Sequence, residues 1–548
     1  MEVRILPGAL ASVAQLVEQR PLKPLVARSS RAGGTKTKMN IPKEIITILK
    51  TLQSKGFEAY LVGGCVRDLL LEREPKDWDI TTNAQPEEIQ KIFPDSIYEN
   101  QFGTVAVKTK AKNLTLKIIE ITTFRQEGKY TDKRHPDTIT FAKTLEEDLS
   151  RRDFTINAMA VALETRNLKL ETQEKSYKLQ VTRLCGQASY KIIDPFRGQE
   201  DLENKLIKTV GNPDERFQED ALRLMRAIRF ACEFDFSLED NTYKAIKKNG
   251  ELLRYIAEER IRDEFLKIIQ TPQAAQGVLL LEETGLLKQF IPELEKSIGV
   301  TQNKHHIYTV WEHLWRSLDY ASQKNYSLEV RLASLFHDIG KPTTKEGEGK
   351  NATFYNHEIV GAKLVRQILN RLRFSNDQVE KIIHLVRYHG FVYDPEITTD
   401  AAMRRLLIKV GKDNISELAQ VREADRIGSG CPKAVPFRLR HFLFKIEKIT
   451  KQLEGKEPSL KMLKINGNDI MKILKIKPGP KIGRLLNVLL EEVLDKPENN
   501  KKEFLEKKVK ELGQFSEKEL KQMNETAKTK YKNILEEEEI KIKNKYHV

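Results

Sequence analysis

The stretch "LVGGCVRDLLLEREPKDWDI", residues 61–80, decides the fold of the first part of the chain. A short apolar run leads into Gly63 and Gly64, and "RDLLL" reads as the first turn of a helix. "DWDI" reads as a strand whose alternation puts Asp77 and Asp79 on one face. Two glycines let backbone N–H groups come close to a triphosphate, and the helix N-terminus behind them favours anions. The carboxylates are placed to hold one or two Mg²⁺ ions beside that phosphate, with Glu120 in "KIIEITTF" as the third acid. A Gly-Gly turn or an Asp-x-Asp pair alone occurs often by chance. Their joint spacing in one strand–turn–helix–strand unit points to phosphoryl transfer.

Outward from this unit, "IPKEIITILKTLQSKGFEAYLVGG" predicts a helix leading into a strand, and "TVAVKT", "LKIIEITTF" and "ITFA" alternate as strands do. Between the last two lies "RQEGKYTDKRHPD", a polar, basic loop. A charged insertion follows "RRDFTINAMAVAL" around residues 165–190. From Asp214 the pattern turns helical: "ERFQEDALRLMRAIRFACEF" and "YIAEERIRDEFLKII" carry apolar stripes at 3.6-residue spacing. On the first of these, Asp220 and Arg223 are three apart and share a face with Arg226 and Arg229.

The chain of 548 residues is long enough for several domains. Charged residues make up 32%, and the formal net charge of +15 favours a polyanionic partner. The four cysteines are scattered and form no CxxC pair, which argues for a reducing, cytoplasmic compartment and against a disulfide framework or a cysteine zinc site. No run of about eighteen apolar residues is present to span a membrane. Residues 1–38 carry seven Lys/Arg against two Glu and read as a disordered or non-native extension ahead of Met39, with a transit peptide as the other reading.

Three motifs in order, "LVGGCVRDLLL" with "DWDI", "RRDFTINAMA" and "RFQEDALRLMRAIRFA", resemble the class II tRNA nucleotidyltransferase and bacterial poly(A) polymerase family over about residues 42–300. The resemblance implies an α+β chain: a small mixed-sheet nucleotidyltransferase head followed by all-α neck and body, then a helical tail. It also assigns roles. Gly63, Gly64 and Arg67 would meet the triphosphate, with Asp77, Asp79 and Glu120 as the catalytic acids, the two aspartates on Mg²⁺. Arg152 and Asp153 would hold phosphate and a ribose 2′-OH. Asp220 and Arg223, with Arg226 and Arg229 beside them, would read the base edge of CTP and then ATP as a protein template.

"VWEHLW", "SLFHDIGKP", "YNHEIVGA", "IHLVRYHG" and "READRIG" concentrate His313, His337, Asp338, His357, His384, His389 and Asp425 in one region. An adjacent His-Asp on a helix, with a preceding His and a distant Asp, is a metal signature, and the series resembles the HD phosphohydrolase domain. That resemblance implies one divalent ion on His313, His337, Asp338 and Asp425, and a second ion or a phosphate at His357 and His389. Ni²⁺, Co²⁺ or Mn²⁺ would suit the imidazoles.

The expected organisation is an extension at 1–38, a nucleotidyltransferase head at 39–208, and a neck and body at 209–300. An HD domain at 301–430 and a basic helical tail at 431–548 complete it. The expected activity is addition of C, C and A to tRNA 3′ ends from CTP and ATP. The alternatives are a poly(A) polymerase, a CC-only or A-only enzyme, and a non-catalytic RNA-binding protein. Oligomeric state and the HD substrate are not legible.

Overall fold

The computed structural model describes residues 39–98, 103–128, 139–164, 181–183, 189–303, 307–430, 437–452, 460–523 and 525. The extension at 1–38, the loop "KYTDKRHPD", most of the insertion at 165–190 and the end of the tail lie outside the described residues. The chain divides into two compact units, one ending at Pro292 and the other beginning at Glu293.

The first unit opens with α1 (Lys43–Ser54), which buries Ile45, Ile48, Leu49 and Leu52, one helical face. The fully buried β1 (Ala59–Val62) follows. Gly63 then takes φ 77° and starts α2 (Gly64–Leu70). β2 (Asp79–Thr82) pairs antiparallel with β1, Val62 opposite Asp79. The short α3 (Pro86–Ile92) leads to β3 (Ser96–Tyr98), β4 (Thr104–Lys108) and β5 (Ile118–Thr123). β5 runs parallel to β2 and sets Glu120 beside Asp79.

A separate ribbon, β6 (Arg125–Glu127) with β7 (Ile139–Phe141), carries the basic loop between its strands. After α4 (Leu145–Ser150) come β8 (Ala160–Glu164), β9 (Val181–Arg183) and β10 (Ser189–Ile193). Together they complete a mixed sheet of order β3-β4-β5-β2-β1-β8-β10-β9.

The unit continues with α5 (Gly198–Glu203) and β11 (Leu206–Ile207). α6 (Pro213–Glu219) and α7 (Leu222–Phe234) come next, and β12 (Ser237–Leu238) pairs with β11. α8 (Asp240–Asn249), α9 (Glu258–Gln270) and α10 (Ala274–Glu283) close the unit.

Two local expectations need correction. β2 begins at Asp79, and Asp77 lies in the bend before it. Trp78 turns inward between them, 6% exposed, so both carboxylates still stay outside the core. The single helix expected through Asp220 is two helices. Asp220 is extended (φ −130°, ψ 104°), and its Oδ1 accepts the Leu222 N–H at 3.0 Å. A short carboxylate that bonds the backbone two residues on competes with continuing the helix. Asp220 therefore does not share a helix face with Arg223.

The second unit is helical among its described elements: α11 (Val310–Gln323), α12 (Leu328–Phe336), α13 (His357–Arg371), α14 (Asn376–Tyr388), α15 (Asp400–Val410), α16 (Ile415–Gly428) and α17 (Phe437–Gln452). α18 (Gly467–Leu474), α19 (Pro480–Asp495) and α20 (Lys502–Leu512) share a core of Ile470, Leu485, Leu489, Val493, Leu505 and Val509. Among the described residues no helix is long and apolar enough to cross a membrane.

Candidate functional site

In the first unit, the Gly63 turn brings three things together. A Cβ on Gly63 would lie 2.8 Å from Arg152 Nη1 and 3.4 Å from Asp79 Oδ2. With φ positive and that space taken, only glycine fits without strain. Burial raises the Asp79 carboxyl, Arg152 pulls it down, and Asp77 adds repulsion. A carboxyl so placed, with a second acid near it and Glu120 at the next strand position, fits a cation.

The other residues expected at the nucleotide form a connected polar chain. Arg67 donates to Asp68 at 2.9 Å and to Asn157 Oδ1 at 2.7 Å. Its guanidinium also lies 4.6 Å from the Phe234 ring centre, so Arg67 is engaged inside the protein, 7% exposed. Asn157 in turn donates to Asp153 Oδ1 at 3.1 Å, where the Phe154 N–H also arrives at 2.8 Å. Arg226 closes on Asp153 Oδ2 through Nε at 2.8 Å and Nη2 at 2.5 Å. Burial works against the Asp153 charge, yet Arg226 and Arg223 hold its carboxyl down to about 2.

Arg223 is buried and donates to Glu219 at 2.5 Å, to the Arg216 carbonyl at 3.2 Å and to the Arg151 carbonyl at 3.3 Å. Asp220 meets Arg260 at 3.3 Å, and Arg229 meets Glu264 at 2.7 Å. Sequence reading missed Asn157, Glu219, Arg260, Glu264 and Asp148. Of these, Glu219 and Asp148 carried a signal, each lying four residues before an arginine it binds.

In the second unit, Thr309 caps α11 with a reciprocal Glu312 contact and so fixes His313 one turn in. His337 and Asp338 lie just past the end of α12 rather than on a helix. They pack tightly because Gly340 abuts the His357 carbonyl and Gly361 backbone, where a side chain would collide. His357 begins α13, His389 caps the end of α14, and Asp425 comes from α16. His384 points elsewhere, its Nε2 2.7 Å from the Val410 carbonyl.

His313, His337, Asp338 and Asp425 offer ligand atoms all within 4.8 Å of one another, as do Asp338, His357 and His389. Among the described residues these are the two such groups, and the head acids are not one. His337, His357 and His389 each set Nδ1 2.8–2.9 Å from a backbone carbonyl three residues earlier. A carbonyl only accepts, so Nδ1 carries a proton and Nε2 is the atom left to hold either a second proton or a metal.

Those Nε2 atoms face Asp338 at 3.2–3.5 Å, and the His313 and His337 Nε2 atoms are 2.8 Å apart. Imidazole nitrogens and carboxylates this close share a proton or a metal, and the ligand set fits a divalent ion that would displace the proton. Burial opposes a charge on His337, but Asp338 and Asp425 lift its imidazole to about 10. Asp338 is itself held well below the carboxylate range by Lys341, 2.6 Å away, and His337, against the effect of burial.

Comparison with known proteins gives three family matches: the poly A polymerase head domain over residues 59–208, the probable RNA and SrmB-binding site of polymerase A over 235–298, and the HD domain over 310–429. The CCA-adding enzyme of Anoxybacillus flavithermus is 31% identical over 85% of this chain and 96% of its own. That of Geobacillus sp. (strain WCH70) is 41% identical over 52% of this chain, a match spanning 61% of the relative's length. The solved Bacillus stearothermophilus CCA-adding enzyme in complex with CTP covers 86% of this chain and 96% of its own at 29% identity, with a TM-score of 0.60. The chain belongs to the CCA-adding enzyme family, a family of nucleotidyltransferases.

Proposed function

We propose that this protein adds C, C and A to the 3′ end of tRNA, taking CTP and ATP in turn. The observation that carries this reading is the convergence of Arg152 and Asp79 on the Gly63 turn, with Glu120 at the adjoining strand position. Asp77 and Asp79 would hold Mg²⁺, whose chemistry there is to neutralise the phosphates and lower the pKa of the attacking tRNA hydroxyl. Arg152, beside Asp79 at the same turn, then balances phosphate charge. Gly63 and Gly64 let the backbone approach the phosphates.

Asp153 has its lone pairs occupied by Phe154, Asn157 and Arg226. Its contribution is to orient Arg226 toward the sugar, and a ribose 2′-OH enters that pair by exchange. Arg223, braced by Glu219 and by two carbonyls, and Asp220, beside Arg260, present a donor and an acceptor to the base. They do so from a cap and a helix rather than from one helix face. Arg229 and Arg67 support this wall.

Poly(A) synthesis accounts for the first unit alone, whereas relatives matched along most of the chain are CCA-adding enzymes. The test is to incubate the protein with tRNA lacking its terminal CCA, supply each NTP singly and together, and sequence the products. Ordered C, C, A is expected; a run of A or no addition would refute the reading.

A second reading concerns the histidine group. Its metal-fitting ligand set supports hydrolysis of a phosphate ester such as a 2′,3′-cyclic phosphate or a 2′-nucleotide. The divalent ion would be Ni²⁺, Co²⁺ or Mn²⁺, and its chemistry is to activate water.

A further inference from the structure

We propose that Asp148 is a positioning residue of the nucleotidyl-transfer site, a buried carboxylate that fixes Arg152 at the Gly63 turn and Arg151 beneath the template arginine. The proposal rests on the nucleotidyltransferase reading above. Asp148 lies on α4 and is fully buried, where an ionised carboxylate is costly unless every lone pair is met.

Donors from three parts of the fold meet it. Arg152 Nη2 reaches Oδ2 at 3.3 Å, beside the Thr81 hydroxyl at 3.4 Å, whose one proton is shared with the Thr122 carbonyl at 3.1 Å. Arg151 reaches Oδ1 through Nη2 at 2.7 Å and Nε at 3.1 Å, and the Arg125 N–H joins at 3.3 Å.

Each donor belongs to a different part of the candidate site. Arg152 sends its other terminal nitrogen, Nη1, toward Gly63 and Asp79. Thr81 is two residues beyond Asp79 on β2. The Arg151 carbonyl receives Arg223 at 3.3 Å. Arg125 begins the β6–β7 ribbon, which carries the basic loop. A long arginine loses much rotamer freedom when it binds phosphate. Anchoring one terminal nitrogen on a buried carboxylate removes that cost before the nucleotide arrives. Asp148 touches no reacting atom, and its influence passes through Arg151 and Arg152.

The test compares wild type, Asp148→Asn, Arg152→Ala and the double variant in single-nucleotide addition to tRNA lacking CCA, with tRNA affinity and thermal midpoint measured alongside. Asp148→Asn should raise KM for CTP and ATP at least about tenfold, with tRNA affinity unchanged. In the Arg152→Ala background the same change should cost several-fold less, the remainder passing through Arg151. An equal penalty in both backgrounds, or a lower midpoint with wild-type KM, overturns the proposal. If the Asn variant does not fold, Asp148→Glu keeps the charge and moves it by one methylene. A raised nucleotide KM is expected there, and wild-type KM overturns the proposal. A wild-type protein that adds no nucleotide would instead sink the underlying reading, which separates the two failures.

Discussion

Arg152 Nη1 occupies the space that a side chain on Gly63 would need, 2.8 Å from the position of the missing Cβ. Gly63 also has φ 77°, a conformation costly for other residues. Gly63→Ala should therefore displace Arg152 or the turn, and a shift of this size costs about 10²-fold in activity. Steady-state nucleotide addition checks this, with tRNA affinity as control. Addition within about threefold of wild type would show that Arg152 is not held there for function.

The acids make a separate prediction. Asp77→Ala and Asp79→Ala should each reduce addition by at least roughly 10³-fold, the several kcal/mol that charge stabilisation on a phosphoryl group is worth. Affinity for tRNA should stay near wild type, because it draws on basic surface elsewhere. Filter binding beside the addition assay decides it, and parallel loss of both would point to a folding defect.

Much of this site was legible because its chemistry sits in short contiguous runs. Gly63 and Asp79 belong to the first motif and Arg152 to the second, and the Val62–Asp79 and Asp79–Glu120 pairings set the acids beside the glycine turn. The histidine group was legible for the same reason, since imidazoles and carboxylates have few alternative reasons to cluster.

What escaped was the competition for side chains. Asp220 looked helical by spacing but ends α6 in extended backbone, its carboxylate taking the Leu222 N–H two residues on. Arg67 looked ready for a phosphate, yet Asn157 and Phe234 engage it, and both are distant in sequence. Contacts across 90 or more residues leave no periodic trace.

Arg223 tests the template. Arg223→Ala should relax the preference for CTP and ATP over UTP and GTP by about 1–3 kcal/mol, the worth of a paired base contact. Single-turnover rates with each nucleotide measure it. Unchanged selectivity with lower stability would leave Arg223 as a brace between Glu219 and the Arg151 carbonyl.

The Asp153 carboxyl gives a pH signature. Its folded pKa of about 2 lies below the usual 3.8, so its stabilising contribution is complete above the unfolded value and fades as pH falls toward 2. The difference of nearly two units corresponds to on the order of 2 kcal/mol. Asp153→Asn should therefore lower the denaturation midpoint of the first unit at pH 6, and the gap from wild type should narrow below pH 4. A gap independent of pH would mean that the charge is not what stabilises this position.

Asp338 is shared by both imidazole groups, with His313 and His337 near Oδ2 and His357 and His389 near Oδ1. Removing it takes a carboxylate from the centre of both sets while leaving the first unit untouched. Asp338→Ala should abolish hydrolysis of a 2′,3′-cyclic phosphate, and wild-type activity should rise more with Ni²⁺, Co²⁺ or Mn²⁺ than with Mg²⁺, because imidazole prefers those ions. Binding of a metal to the folded state also raises the unfolding midpoint, with the logarithm of its concentration over Kd. Wild type should therefore gain several degrees with Ni²⁺ that Asp338→Ala does not gain. CCA addition should persist in Asp338→Ala, and hydrolysis should persist in Asp79→Ala. A histidine group kept only for packing predicts otherwise: no hydrolysis with any of these ions, no metal-dependent midpoint, and a destabilised Asp338→Ala protein, since the surviving Lys341 ammonium would be left buried without its carboxylate.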